Sequence, residues 1–176
     1  MFTITTERPE DGPAIEALLD TAFGPSRESK VSYRYRASVA PVANLKLVAR
    51  DAGDRIIGTV RYWPVLVGHV ARPGLLLGPL AVAQDWQANG VGAALMRRSL
   101  DMAQWARHER VLLVGDYGYY KRFGFRPAAP YGIVMPGENP ARLLALPLSA
   151  GALDGVAGPL QPWRWVRRRG RRLRAA

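Results

Sequence analysis

The feature that most constrains the fold of this chain is a glycine-containing turn in residues 84–98, "QDWQANGVGAALMRR", which leads into an amphipathic stretch. Apolar positions such as Leu95, Met96 and Ala103 recur at helical spacing, which predicts a helix from Gly90 to about Arg107. The apolar segments "GLLLGPLAV" before the turn and "RVLLVGD" after the helix are predicted strands. This order of strand, helix and strand indicates a βαβ-like unit in an α/β sheet.

The turn itself has the chemistry of an anion site. The first turn of a helix presents free backbone N–H groups and the positive end of the helix dipole, and both favour a bound phosphate. Glycine at positions 90 and 92 would let a phosphate or pyrophosphate approach the backbone closely. The same glycines would also suit a tight strand-to-helix connection with no ligand, so this motif alone leaves both interpretations open.

Two phosphate-binding designs fit the turn poorly. A nucleoside-triphosphate loop requires Lys followed by Ser or Thr after its last glycine, whereas Gly92 is followed by two alanines, which excludes it. A dinucleotide-binding fold requires Gly or Ala three residues after the second glycine, where this chain has Leu95. It also requires a shorter connection between strand and helix than "AQDWQAN". Asp116 follows the next strand, where such a fold holds the ribose, so the dinucleotide interpretation stays open.

The rest of the chain predicts further strands, a second long helix and an interruption of one strand. "MFTITTER" predicts an opening strand, residues 9–23 a helix, and residues 45–70 two strands joined at "DAGD". "YGYYKRFGF" predicts a brief helix that ends at Gly124, and "ARLLALPLS" a late strand, whereas residues 26–43 fit a short helix or a loop. Since Pro79 cannot donate to a ladder, a bulge or an opening is expected at Gly78-Pro79.

Composition places the chain among single-domain globular proteins. It has 176 residues, no Cys, and no apolar run long enough to span a bilayer, so we expect a cytoplasmic protein with no metal site and no membrane partner. The net charge is +11, but residues 164–174 hold seven Arg, which leaves +4 for the rest. The charge therefore predicts a basic tail more than a nucleic-acid-binding domain, although the neighbouring Trp163 and Trp165 could dock on a partner.

Three segments together resemble the GNAT superfamily of acetyl-coenzyme A dependent N-acetyltransferases. They are "LGPLAVAQDWQANGVGAALMRRSL", which contains the pattern Q-x-x-G-x-G, then "VLLVGD" and "YYKRFGF", over about 50 residues. The resemblance implies an α/β fold with a twisted, mixed, mostly antiparallel sheet of six or seven strands, splayed between the fourth and fifth and flanked by about four helices. It also implies a domain over residues 1–160, followed by the Arg-rich tail, 161–176.

The same resemblance implies the roles of specific residues. The pantetheine arm of acetyl-coenzyme A would bond to the backbone of the predicted strand "GLLLGPLAV", and its pyrophosphate to the loop amides. These cofactor-binding residues are Leu80, Val82, Gln87, Ala88, Asn89, Gly90, Val91, Gly92 and Ala93. Tyr120, four residues before Gly124, matches the general acid that protonates the departing thiolate, and the Val82 amide would stabilise the oxyanion.

The base and the acceptor site are less determined. Many members of this superfamily carry a Glu on the fourth strand, but "LLLGPLAV" contains no acid, so Asp85, Asp116 and Glu138 are the candidates. An acceptor wall is expected from the Pro/Gly-rich residues 126–142 and from aromatic side chains. Those aromatics are Phe23, Tyr33, Tyr35, Tyr62 and Trp63, each of which could instead belong to the core.

The resulting hypothesis is an acetyltransferase acting on a primary amine of a small molecule or peptide. Two alternatives remain open at this point. One is a sensor or scaffold that binds acyl-coenzyme A without turnover, which the missing acid favours, and the other is a nucleic-acid-associated protein that acts through its Arg tail. A homodimer is also compatible with the sequence.

Overall fold

The computed structural model describes residues 1–163, and these form nine strands and three α-helices. In chain order they are β1 (Phe2–Thr6), α1 (Gly12–Phe23), β2 (Lys46–Asp51), β3 (Ile56–Val67), β4 (Arg72–Val82), α2 (Val91–Trp105), β5 (Arg110–Val114), α3 (Tyr117–Tyr120), β6 (Arg126–Pro127), β7 (Ile133–Val134), β8 (Leu143–Pro147) and β9 (Gly158–Pro162). The predicted tail falls almost wholly outside the described residues, although β9 runs two residues into it.

The sheet is mixed and mostly antiparallel, as predicted. Its strand order is β1-β2-β3-β4-β5-β8-β6, and β4 and β5 are the parallel neighbours within it. The short strand β9 pairs with the far end of β3 and, in parallel, with β7. The predicted βαβ unit is present, because β4, α2 and β5 follow one another and the two strands pair side by side.

Helix α2 forms where the sequence predicts it, with Gly90 in the left-handed conformation as its N-cap. Its buried face includes Leu95 and Met96, which pack against the sheet. A side chain at Gly58 on β3 would come within 2.9 Å of Val91 and Leu95, so this glycine allows the helix to lie close to the strand. The helix ends at Trp105, slightly earlier than predicted.

Helix α1 packs on the face of the sheet at β3 and β4. Ile15 and Leu19 are fully buried, and Gly24, at φ +82°, ends the helix. Residues 26–43, for which the sequence allowed a helix or a loop, form two 3-10 helices, Pro25–Ser29 and Val31–Tyr35. Three α-helices are therefore present among residues 1–163, where about four were predicted, because this segment is wound more tightly.

The sheet is open between β4 and β5. The two strands pair only at Leu75 with Val111 and at Leu76 with Leu112, although β4 continues for six more residues. At the same point the ladder between β3 and β4 is interrupted, so that Gly78 and Pro79 form the bulge expected from the sequence. Beyond the break β5 pairs with β8, and no strand within residues 1–163 pairs with that edge of β4.

Across residues 1–163, no helix combines the length and the apolar character that crossing a bilayer would require.

Candidate active site

The opening between β4 and β5 leads into a cavity of about 550 Å³. One wall is the β4 segment from Leu77 to Leu80, and the opposite wall is the end of β5 with Gly115 and Asp116. The 3-10 helices that follow α1 close a third side. The cavity is therefore built where the sheet splits, from segments far apart in the chain.

The exposed edge of β4 presents backbone polar groups to this opening. The amide of Ala83 donates to the carbonyl of Ile57 on β3 at 2.8 Å. Successive residues of an antiparallel ladder direct their N–H and C=O groups to opposite sides, so those of Leu80 and Val82 point away from β3, toward the opening. An extended ligand could add to β4 there as a further strand.

The loop before α2 presents a second set of backbone donors. Ala94 N donates to Gly90 O at 2.9 Å, which closes the first turn of the helix. Within residues 1–163, the preceding amides of Val91, Gly92 and Ala93 donate no hydrogen bond, and no side chain caps the helix. Free N–H groups and the positive end of a helix dipole are the features that a bound anion requires.

The two glycines of the loop serve different purposes. Gly90 has φ +78° and open space around it, so its role is the left-handed turn. A Cβ on Gly92 would lie 3.1 Å from the hydroxyl of Tyr119 and 3.4 Å from a methyl group of Val82. Gly92 therefore also makes room for a tyrosine side chain, a packing role that the sequence alone did not identify.

Tyr120, the predicted general acid, lines the cavity. Its ring packs over Gly115, where any side chain would collide with it, and makes an edge contact with Phe125. Asp116 caps the short helix α3 by accepting from Gly118 N at 2.9 Å, and this turn positions the tyrosine at the cavity wall. Burial raises the pKa of Tyr120 to about 12, so the phenol keeps its proton at neutral pH.

Tyr119 is a neighbour whose place the sequence did not predict. Its ring meets that of Tyr120 edge-on at 4.9 Å, and its hydroxyl lies beside Gly92 at the start of α2. The guanidinium of Arg122 stacks on its other side, 4.7 Å from the ring centre. Tyr119 therefore links the loop to the short helix that carries Tyr120.

The three candidate bases have different surroundings in the structure. Asp116 and Glu138 both line the cavity, whereas Asp85 is paired with Arg55 at 2.5 Å on another face. Asp116 is already engaged as a helix cap, and Glu138 accepts from the backbone N of Asn139 at 3.0 Å. Each of these two carboxylates thus has a second oxygen that accepts no hydrogen bond within residues 1–163, but only Asp116 also caps a helix.

The predicted aromatic wall is only partly present. Phe23 and Tyr33 line the cavity, and Trp63 donates from Nε1 to the carbonyl of Gly78 at 2.8 Å, beside it. Tyr35 and Tyr62 belong to the core instead: Tyr62 is fully buried and its hydroxyl pairs with Ser99 at 2.8 Å. Tyr62 is directed into the core by β3, and Tyr35 by the 3-10 helix Val31–Tyr35. Residue type alone did not indicate these directions.

Comparison with known proteins supports one family. The Acetyltransferase (GNAT) domain matches residues 44–127. An uncharacterized N-acetyltransferase of Escherichia coli K12, YhbS, is 32% identical over 157 residues, which cover 88% of this chain and 92% of the relative.

Solved structures give the same result. A crystal structure of YhbS in complex with CoA has a TM-score of 0.80 at 30% identity and covers 92% of this chain and 89% of its own. A GNAT family acetyltransferase from Brucella melitensis in complex with acetyl-CoA has a TM-score of 0.70 at 27% identity, and the match covers 93% of this chain and 96% of that one.

Proposed function

Since the chain belongs to the GNAT superfamily and is an N-acetyltransferase that uses acetyl-coenzyme A, we propose that it acetylates a primary amine of a small molecule or peptide. We further propose that the amine attacks the thioester directly, with Tyr120 as general acid. The observation that carries this proposal is the unpaired edge of β4, which runs from the free amides of the loop to the wall formed by Tyr120.

The residues present fit the coenzyme. The amide-bearing pantetheine arm would pair with the backbone of Leu80 and Val82, which faces the opening. Its pyrophosphate would be held by the loop from Gln87 to Ala93, whose conformation leaves the first amides of α2 without protein partners. Acetyl-coenzyme A supplies an activated acetyl group when it is bound.

The proposed chemistry needs three contributions from this chain. The amine nitrogen forms a bond to the acetyl carbon, and the carbon–sulfur bond breaks. The Val82 amide would stabilise the negative charge that develops on the carbonyl oxygen, because it is directed into the opening. Tyr120 would give its proton to the departing sulfur, for which its raised pKa keeps the acid form available.

The remaining step is removal of a proton from the amine. We propose Glu138 as the base, directly or through water, because it lines the cavity and Asp116 is engaged in capping α3. An amine that enters in its neutral form would not need this group.

The test is release of free thiol from acetyl-coenzyme A in the presence of pooled amines, polyamines and peptides. Amine-dependent release that falls at least about 100-fold in Tyr120→Phe would support the mechanism, since general acids contribute about 10²- to 10⁴-fold. Amine-dependent release that is unaffected by this substitution would overturn the assignment of Tyr120. Cytoplasmic location, a homodimer, a domain ending near residue 160 and the role of the Arg-rich tail stay predictions.

A further inference from the structure

One arginine of the described chain is buried in a different way from the others. Four arginines that are buried or nearly so each meet a carboxylate. The pairs are Arg27 with Asp20 at 2.8 Å, Arg50 with Asp11 at 2.6 Å, Arg61 with Glu7 at 2.8 Å, and Arg110 with Glu109. This is the usual condition for burying an ionised group.

Arg36 differs from these four, because no carboxylate within residues 1–163 pairs with it. Its Nε and Nη1 atoms are fully buried and, within residues 1–163, make no hydrogen bond. The guanidinium stacks on Tyr33, 4.3 Å from the ring centre, and lies 6.0 Å from the ring centre of Trp63. Burial lowers the pKa of Arg36 to about 10, partly opposed by the neighbouring Tyr33, so the group remains charged at neutral pH.

The groups around Arg36 leave its charge uncompensated. Several carboxylates line the cavities around Arg36, but within residues 1–163 none forms an ion pair with it, and Glu16 is already shared by Arg27 at 2.5 Å and Arg61 at 3.0 Å. The Tyr33 hydroxyl accepts from Arg27 at 3.1 Å. A buried guanidinium with unused donors is costly to maintain, and the cost falls if a ligand supplies the missing acceptor.

Arg36 lies in the cleft, by which we mean the opening between β4 and β5 together with the cavity behind it. Its side chain lines the cavity, and its Nη2 atom is 3.2 Å from the point where a side chain on Gly78 would begin. Tyr120, the proposed general acid, lines the same cavity. Arg36 therefore lies in the cavity in which acetyl transfer is proposed.

We propose that Arg36 binds a carboxylate of the acceptor, so that the substrate is an amine that also carries a carboxylate. This inference rests on the proposed function, because it assigns the acceptor end of the same cleft. A planar guanidinium held by stacking is suited to bidentate recognition of a carboxylate. Glycine at position 78 leaves the space beside Nη2 that such a group requires.

The experiment compares matched ligands that differ only in the carboxylate. Calorimetry measures the binding of N-acetylglycine, N-acetyl-β-alanine and N-acetylphenylalanine to the CoA-saturated protein, each against its counterpart without the carboxylate. The variants are Arg36→Gln and, as a control with the same change in charge, Arg34→Gln. Arg34 is exposed on the 3-10 helix Val31–Tyr35, which Arg36 follows directly, and it donates to the carbonyl of Pro136.

The expected result is that at least one carboxylate binds the wild-type protein about 10- to 100-fold more tightly than its counterpart. Arg36→Gln removes that preference, whereas Arg34→Gln retains it. Absence of a carboxylate preference in the wild-type protein, or its survival in Arg36→Gln, overturns the inference.

Titration of CoA into each variant separates this inference from the proposed function. Unchanged CoA affinity in Arg36→Gln is expected. A loss of CoA affinity in Arg36→Gln would assign the arginine to the coenzyme and also overturn the inference. Failure of CoA to bind the wild-type protein would overturn the proposed function instead, and the carboxylate preference would then be measured on the free protein.

Discussion

The two ends of the cleft present polar groups in opposite ways. At the end formed by the loop and α2, the polar groups are backbone amides from one short stretch, residues 87–93. At the other end they are charged side chains from distant segments, with Arg36 after α1, Asp116 after β5 and Glu138 after β7. A ligand shared by many enzymes can be bound by a contiguous motif, whereas a particular acceptor is recognised by side chains that only the tertiary fold brings together.

The largest expected effect tests whether the unpaired arginine at the acceptor end differs from the paired ones. Arg50→Met leaves the carboxylate of Asp11 buried without its partner, and we expect it to lower the free energy of unfolding by about 3–5 kcal/mol. Arg36→Met removes a charge that has no carboxylate partner and should change it by less than about 1 kcal/mol.

Urea unfolding followed by circular dichroism measures both changes at the same pH. Since the substitution is the same at the two sites, the difference reports the pairing rather than the loss of an arginine. Equal destabilisation by the two substitutions would mean that Arg36 stabilises the folded protein as much as Arg50 does. The proposed difference between paired and unpaired arginines would then be wrong.

At the junction of the two ends, Tyr120→Phe should lower kcat by about 100-fold or more while acetyl-coenzyme A affinity stays within about twofold. The phenol hydroxyl is needed only where the proton is transferred, and the ring that packs over Gly115 remains. Steady-state kinetics together with calorimetry separates the two quantities. Tyr119→Phe is the matched control, and an equal fall in kcat from it would remove the special role of Tyr120.

At the coenzyme end, Gly90→Asp should weaken acetyl-coenzyme A binding by about 10- to 100-fold, because a carboxylate would be placed beside the proposed pyrophosphate site. Gly90→Asn is the control, since Asn tolerates the left-handed conformation and carries no charge. Calorimetric titration should find the Asn variant within about threefold of the wild-type affinity. Equal losses in both variants would attribute the effect to backbone strain instead of charge.

The smallest expected effect concerns pH. Because burial raises the pKa of Tyr120 to about 12, its acid form is present below that pH and is lost above it. The profile of kcat/KM should therefore rise as the acceptor amine loses its proton, with no decrease around pH 10, where an ordinary tyrosine titrates. A decrease with a midpoint near pH 10 would show that the group acting as acid is not buried as Tyr120 is.

The contrast between the two ends also explains what the sequence could predict. The loop, α2 and the interruption at Gly78-Pro79 are local features, and their glycines, proline and periodicity predicted both the helix and the opening of the sheet. Tyr119 and Arg36 were missed because their importance depends on contacts with Gly92 and Gly78, far away in sequence. Tyr35 and Tyr62 were placed among the acceptor candidates for the same reason, since residue type does not specify which way a side chain faces.

The measurement that most directly tests the central claim is a crystal structure of this protein with CoA bound. The account predicts pyrophosphate oxygens within about 3.2 Å of the amides of Val91, Gly92 and Ala93, and pantetheine amides paired with Leu80 and Val82. It also predicts the sulfur within reach of the Tyr120 hydroxyl. Coenzyme bound elsewhere, or with its pyrophosphate away from the start of α2, would contradict the account.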